Sequence, residues 1–281
     1  MAGVAVYRGF DQQELDREYS PSSRVADFGA ELAAYARESG RALREVPGHR
    51  ELRYGAAGPE LIDFFPALPG APLHVFVHGG YWQELGKEDS LFPALDFVAR
   101  GTAYAAVGYG LAPAWTVEQI AGQVTEAVVW LVEHAAELGV DPERIVLSGS
   151  SAGAHLAATA LLDGRLRGRI AGAALLSGVY DLEPVALSYI NEPLGLDAER
   201  ARRLSPLFAD LSALPPLVVA LGEYETGEFA RQQAEFAHAA RDAGVPVREL
   251  LIGGRNHFDL VFDLGRTDTV LGAAAEAPGR G

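Results

Sequence analysis

The pattern Gly149-Ser150-Ser151-Ala152-Gly153 places a serine between two glycines, a spacing that suits a nucleophilic turn. The apolar segment Arg144–Leu147 precedes the pattern and an alanine-rich segment follows it, as a strand and a helix flanking such a turn would. A helix N-terminus behind Ser151 would favour the negative charge that develops on a reacting oxygen. The pattern predicts that Ser151 is the nucleophile of an acyl-transfer reaction, while a glycine-rich turn without catalytic function is the alternative.

A second motif, His78-Gly79-Gly80-Tyr81-Trp82, follows a short apolar run and lies some seventy residues before the serine. Acyl transfer needs backbone N–H groups that bind the oxyanion, and small residues let the backbone approach the substrate. We predict that the N–H groups of Gly80 and Tyr81, with that of Ala152, form this oxyanion hole. His78 is interpreted as a hydrogen-bonding residue that holds the loop.

The base and the acid of a triad should follow the serine in the order Ser, acid, His. Of the seven histidines, only His257 lies in a loop after the last predicted strand, which makes it the predicted base. The acid should follow the predicted strand Leu217–Leu221, where all candidates are glutamates. We choose Glu225, with Glu223 as the second candidate; Glu can orient the imidazole if the loop accommodates one more methylene than Asp has.

Short apolar segments alternate with amphipathic ones along most of the chain, which predicts an α/β protein whose parallel sheet is covered on both faces. A helix is expected over Val25–Arg37, and a hairpin at the sheet edge from Glu51–Tyr54 and Leu61–Phe65. The sequence indicates one domain over residues 1–281, with a cap or lid around 181–213 and a disordered tail at 273–281.

The amino-acid composition argues against several classes of function. The chain carries 23 Lys and Arg against 38 Asp and Glu, a net charge of −15, which argues against nucleic-acid and membrane partners. Cysteine is absent, so thiolate chemistry is excluded. No secretory signal is visible and the apolar runs are too short to span a bilayer, so a cytoplasmic protein is expected.

Taken together, the motifs resemble those of the α/β-hydrolase type of kynurenine formamidase (arylformamidase), which is related to the hormone-sensitive-lipase group of esterases. The resemblance rests on Tyr19–Ser22, Val77–Gln83, Gly108–Pro113, Gly149–Ala157, Ser177–Pro184 and Asn256–Phe258. It implies an α/β-hydrolase fold with a mostly parallel sheet, helices on both faces and a small cap. It also implies hydrolysis of N-formyl-L-kynurenine to L-kynurenine and formate, with no metal and no cofactor. The family's acid is normally Asp in a G-x-x-D pattern, and Glu225 occupies that place here.

For such a substrate, Tyr81, Trp82, Tyr180 and Phe258 are predicted as aromatic walls of the pocket. The expected binding partner is a small aromatic formamide or ester. The sequence does not decide whether the chain forms a homodimer. A carboxylesterase acting on small aryl or acyl esters is the alternative, as is a related aryl-formamide or ester hydrolase in secondary metabolism. A pocket arginine or polar cap residue would favour the formamidase. An inactive fold used as a binding module is disfavoured, because the serine and the histidine are both present in the right order.

Overall fold

A computed structural model describes residues 4–276 and contains a single eight-stranded sheet in that range. The strands, in chain order, are β1 (Arg50–Arg53), β2 (Leu61–Phe65), β3 (Ala71–Val77), β4 (Ala103–Val107), β5 (Val140–Ser150), β6 (Gly172–Leu176), β7 (Leu217–Gly222) and β8 (Val247–Ile252). Their order across the sheet is β1-β2-β4-β3-β5-β6-β7-β8. Strands β1 and β2 pair antiparallel and form the predicted edge hairpin, and β2 also pairs antiparallel with β4. The remaining pairs, from β4 across the sheet to β8, are parallel.

Helices cover both faces of the sheet. They are α1 (Gln12–Glu18), α2 (Phe28–Glu45), α3 (Ala94–Ala99), α4 (Val117–Glu133), α5 (Ala152–Leu161), α6 (Glu183–Leu187), α7 (Ala198–Arg203), α8 (Gly227–Asp242) and α9 (Val270–Ala275). The alternating side chains of β3 show why two layers form: Val75 and Val77 pack into the core under α4, α5 and α8, and Phe76 packs into the core under α2, α3 and α9. The fold is therefore the α/β architecture that the alternating pattern predicts.

Helix α2 is longer than the sequence pattern suggests. It begins at Phe28, where the Asp27 side chain caps the N–H of Ala30, and it continues to Glu45 instead of ending at Arg37. Its later turns bury only the small residues Ser39 and Ala42, so apolar periodicity does not reveal them.

The prediction of a disordered tail at 273–281 is wrong for the first residues of that segment. Residues 273–275 belong to helix α9, which the Thr269 hydroxyl caps and which buries Leu271, Ala274 and Ala275 in the core. An alanine run gives no amphipathic signal, although small side chains suit close packing. The remainder of the predicted tail, 277–281, lies outside the described residues.

Parallel strands β3, β5, β6, β7 and β8 all direct their carboxyl ends to the same edge of the sheet. In open α/β sheets this edge carries the ligand site. The turns and loops that follow these strands contain Ser151, Glu225, His257, Gly80 and Tyr81, and Ala152 is the first residue of helix α5. Within residues 4–276, no helix is both long enough and apolar enough to cross a membrane.

Candidate active site

Ser151 lies in a sharp turn between β5 and α5. Its backbone has φ 57° and ψ −121°, a conformation that costs an ordinary residue free energy and that persists only where the surroundings enforce it. Neighbouring glycines allow the turn: a Cβ on Gly149 would collide with the carbonyl of Gly153, and a Cβ on Gly153 would collide with the carbonyl of Val77. The turn places the Ser151 side chain at the N-terminus of α5, where the first N–H groups have no acceptor within the helix.

His257 and Glu225 form a buried pair. The His257 Nδ1 atom lies 2.7 Å from the Glu225 Oε2 atom, and both side chains are almost completely removed from solvent. A carboxylate at Nδ1 keeps the proton on that nitrogen and leaves Nε2 as the atom that can accept one. His257 and Ser151 line the same cavity, so this arrangement suits a general base for the serine.

The three glutamates that follow β7 have different environments, and these decide which of them can act as the acid. Glu223 lies in an exposed turn, where its Oε2 atom accepts a hydrogen bond of 2.7 Å from the N–H of Gly254. The third glutamate of the segment, Glu228, is buried in an ion pair with Arg231. The structure therefore brings only Glu225, among the three, into contact with His257.

The loop after β3 has an unusual backbone. Gly80, Tyr81 and Trp82 have successive positive φ values of 98°, 50° and 61°. A Cβ on Gly80 would collide with the carbonyl of Glu84, and one on Gly79 would lie 2.9 Å from the carbonyl of Ser150. The loop thus packs directly against the serine turn. Among the hydrogen bonds of residues 4–276, none uses the N–H of Gly80 or Tyr81, so both N–H groups are available to an oxyanion.

His78, at the start of this loop, has a structural environment. Its ring stacks on Tyr109 with centroids 4.0 Å apart, and the Tyr109 hydroxyl donates to the His78 carbonyl at 2.7 Å. Burial lowers the pKa of the His78 imidazole to about 4, so this side chain is neutral at neutral pH. Burial has the same effect on two other core histidines, with pKa values of about 3 for His74 and about 4 for His155.

The N-terminal segment connects two loops of the candidate site, a contact that no sequence pattern predicted. The carbonyl of Tyr19 accepts a hydrogen bond of 2.8 Å from the Tyr81 hydroxyl, and the Tyr19 hydroxyl donates to Glu228 Oε2 at 2.9 Å. The preceding residue, Glu18, accepts 2.6 Å and 3.0 Å hydrogen bonds from the Thr226 hydroxyl and the Glu228 N–H. We refer to Glu18 and Tyr19 as the N-terminal clamp, because this dipeptide holds both the oxyanion loop and the loop that carries Glu225.

A cavity of about 240 Å³ opens above Ser151 and His257. Much of its wall is apolar and includes Phe28, Leu32, Tyr35, Phe76, Phe92 and Phe258. Three of these belong to α2, whereas the predicted cap around 181–213 contributes only Tyr189 and Ile190. The apolar spacing on α2 was visible in the sequence, but nothing there showed that this face covers the site.

Two of the four predicted pocket walls are wrong. Tyr81 and Phe258 line the cavity, but Trp82 and Tyr180 are fully buried in the core and do not. The positive φ of Trp82 accompanies an orientation in which its ring meets His155 edge-on at 5.0 Å. Tyr180 stacks on Phe236 at 4.0 Å, on the α8 side of the sheet.

Comparison with known proteins agrees with the fold. Residues 74–192 match a family model described as alpha/beta hydrolase fold. The chain is 32% identical to a kynurenine formamidase of Danio rerio over 92% of this chain and 93% of the relative. It is also 32% identical to an esterase, LipQ, of Mycobacterium tuberculosis over 76% of this chain and 60% of that protein. A crystal structure of a protein from Silicibacter sp. tm1040 superposes with a TM-score of 0.83 and 27% identity, covering 94% of this chain and 99% of the other. The chain is a serine hydrolase of amide or ester bonds that belongs to the kynurenine formamidase family of α/β hydrolases.

Proposed function

We propose that this protein hydrolyses the formamide bond of N-formyl-L-kynurenine, giving L-kynurenine and formate, through a triad of Ser151, Glu225 and His257. The observation that carries the proposal is the buried 2.7 Å contact between Glu225 and His257 in a cavity that Ser151 also lines. The kynurenine formamidases that resemble this chain along most of its length support the choice of substrate.

In the proposed reaction, the Nε2 atom of His257 accepts the hydroxyl proton while Ser151 Oγ attacks the formyl carbon. The negative oxygen of the tetrahedral intermediate binds the N–H groups of Gly80, Tyr81 and Ala152. Collapse of the intermediate breaks the C–N bond, and the imidazolium gives its proton to the departing aniline nitrogen. A water molecule, deprotonated by the same imidazole, then releases formate from the formyl-serine and restores the hydroxyl.

The cavity suits an aromatic substrate with a polar end. The Phe28 and Phe258 rings lie 5.0 Å apart at the cavity wall and offer faces and edges to an aryl ring. Polar side chains also line the cavity, namely Ser22, Gln83, Glu84, Ser90 and Tyr189. They could hold an amino-acid head group, with Glu84 facing its ammonium.

One observation favours the second candidate function, a carboxylesterase of small aryl or acyl esters. Among the described residues that line the cavity there is no lysine or arginine to pair with a substrate carboxylate. An uncharged aryl ester needs no such partner, and the triad chemistry is the same for both bonds.

The experiment that separates these functions compares kcat/KM for N-formyl-L-kynurenine, formanilide and p-nitrophenyl acetate, with Ser151→Ala as the blank. Formanilide has the aryl formamide without the amino-acid head. The proposal expects N-formyl-L-kynurenine to exceed formanilide by at least about tenfold, the effect of one or two good polar contacts. Turnover of the ester with neither formamide cleaved would overturn the substrate assignment and leave the esterase.

A further inference from the structure

Ser177 follows β6 directly and is buried, yet no step of the reaction above uses it. Its hydroxyl donates a hydrogen bond of 2.6 Å to the Oε1 atom of Glu225. The same oxygen accepts a second hydrogen bond, of 2.8 Å, from the N–H of Gly222. The other carboxylate oxygen, Oε2, contacts His257. The two oxygens of Glu225 thus have separate tasks, one in anchoring and one in contact with the base.

The backbone of Ser177 has a conformation that is unfavourable for a residue other than glycine. Its φ is 49°, in the left-handed region that residues other than glycine rarely adopt. The Ser177 N–H donates to the carbonyl of Ala220 at 2.8 Å, which extends the β6–β7 pairing by one residue and fixes the turn. Glycine would relieve the strain but would remove the hydroxyl. A strained residue beside a catalytic pair points to a functional constraint on its side chain.

The identity of the acid adds a reason for this anchor. A glutamate has one more rotatable bond than the aspartate usual at this position of the family, so its carboxylate loses more conformational freedom when it is fixed. Hydrogen bonds on Oε1 from two directions restrict rotation of the carboxylate and keep Oε2 directed at His257 Nδ1.

We propose that Ser177 is a positioning residue of the triad, which acts through Glu225 to keep His257 in its productive orientation. This inference rests on the proposed triad but not on the identity of the substrate. Loss of the Ser177 hydroxyl leaves the Gly222 N–H in place, so the carboxylate is loosened and not released. We expect kcat to fall about 10- to 100-fold, the range that one hydrogen bond to a charged group can supply. KM should change little, because Ser177 is not among the residues that line the cavity.

The test uses Ser177→Ala, Ser177→Gly, Glu225→Gln and the double variant Ser177→Ala/Glu225→Gln, assayed with p-nitrophenyl acetate. Ser177→Gly protects the test against a folding failure, since glycine suits the positive φ. For this variant we expect an unchanged or higher Tm together with the lower kcat. A residue with a structural role alone would give the reverse, a lower Tm with kcat retained.

The double variant shows whether Ser177 acts through the acid. If it does, Ser177→Ala should have almost no further effect once Glu225 is replaced, because the side chain that Ser177 anchors then no longer supports the productive tautomer of His257. Effects that multiply in the double variant would overturn the proposal. Wild-type activity in Glu225→Gln alone would instead overturn the triad itself, so the two failures are distinguishable. Ser148→Ala is the matched control: its hydroxyl is equally buried but contacts His74 at 2.7 Å, and its kcat should stay at the wild-type value.

Discussion

Replacement of Glu225 by glutamine changes one carboxylate oxygen to an NH₂ group and leaves the volume of the side chain almost unchanged. The surroundings decide which way the new amide points. An NH₂ group at the Oε1 position would face the Gly222 N–H, which is itself a donor of fixed orientation, and the Ser177 hydroxyl. The amide oxygen therefore stays at that position, and the NH₂ group faces His257 Nδ1.

This orientation reverses the tautomer of the base. An NH₂ group can only donate to Nδ1, so the imidazole proton moves to Nε2, the atom that must accept the proton of Ser151. In the serine-protease triad the corresponding change lowers kcat by about 10⁴-fold while the geometry stays intact. That factor corresponds to about 5 kcal/mol of barrier. We expect a loss of about 10³- to 10⁴-fold in kcat for Glu225→Gln, with KM within about threefold of the wild type.

The assay is steady-state hydrolysis of p-nitrophenyl acetate together with the chosen formamide, and thermal unfolding establishes that the fold is retained. Glu223→Gln is the matched control, because it makes the same chemical change two residues away, in the exposed contact with Gly254. Its kcat should fall less than about threefold. The reasoning is refuted if Glu225→Gln keeps more than a tenth of the wild-type kcat, or if Glu223→Gln loses as much.

Three further outcomes are expected. Ser151→Ala should abolish turnover at an unchanged Tm, whereas Ser150→Ala should stay active; retained turnover in the first variant would move the nucleophile, with Ser150 the first suspect. Tyr81→Phe removes the hydroxyl contact with Tyr19, so kcat should fall several-fold and the free energy of unfolding by about 1 kcal/mol, measured by urea titration; unchanged values would show that the loop needs no such anchor. Stability should also fall on acidification from pH 7 to pH 5, by on the order of 1 kcal/mol per core histidine, because the unfolded chain binds protons near pH 6.5 and the folded one only below about pH 4. A urea midpoint that stays constant over this range would contradict burial of the three neutral histidines His74, His78 and His155.

Local patterns were enough to predict the sheet and the segments in which the candidate site residues lie. Strand β8 has the predicted bounds, and Gly80, Ser151 and His257 lie in the segments that follow β3, β5 and β8. These features follow from short-range rules: alternation of apolar segments, glycines where the backbone must turn sharply, and the order of a triad along the chain.

The features that were missed depend on contacts between residues far apart in the sequence. Periodicity places Phe28 and Leu32 on an apolar face but does not say which surface that face covers. Trp82 was misplaced because a positive φ at an aromatic residue is not visible in the sequence. Ser177 belongs to one of the motifs of the family resemblance, and the positioning role proposed for it depends on a partner 48 residues away in the sequence.

The N-terminal clamp has a consequence for the order of events during synthesis. Glu18 and its partner Thr226 are 208 residues apart, so at roughly 5–20 residues per second the clamp waits about 10–40 s for the residues that it binds. Until the start of α8 has left the ribosome, the Glu18 carbonyl and the Tyr19 hydroxyl have no partners, although the contact between Tyr19 and Tyr81 can already form. Helix α2 can pack on Phe92 early, but its contacts with Phe258 and Phe262 form only after those residues have been synthesised, so the cavity wall is completed late in translation.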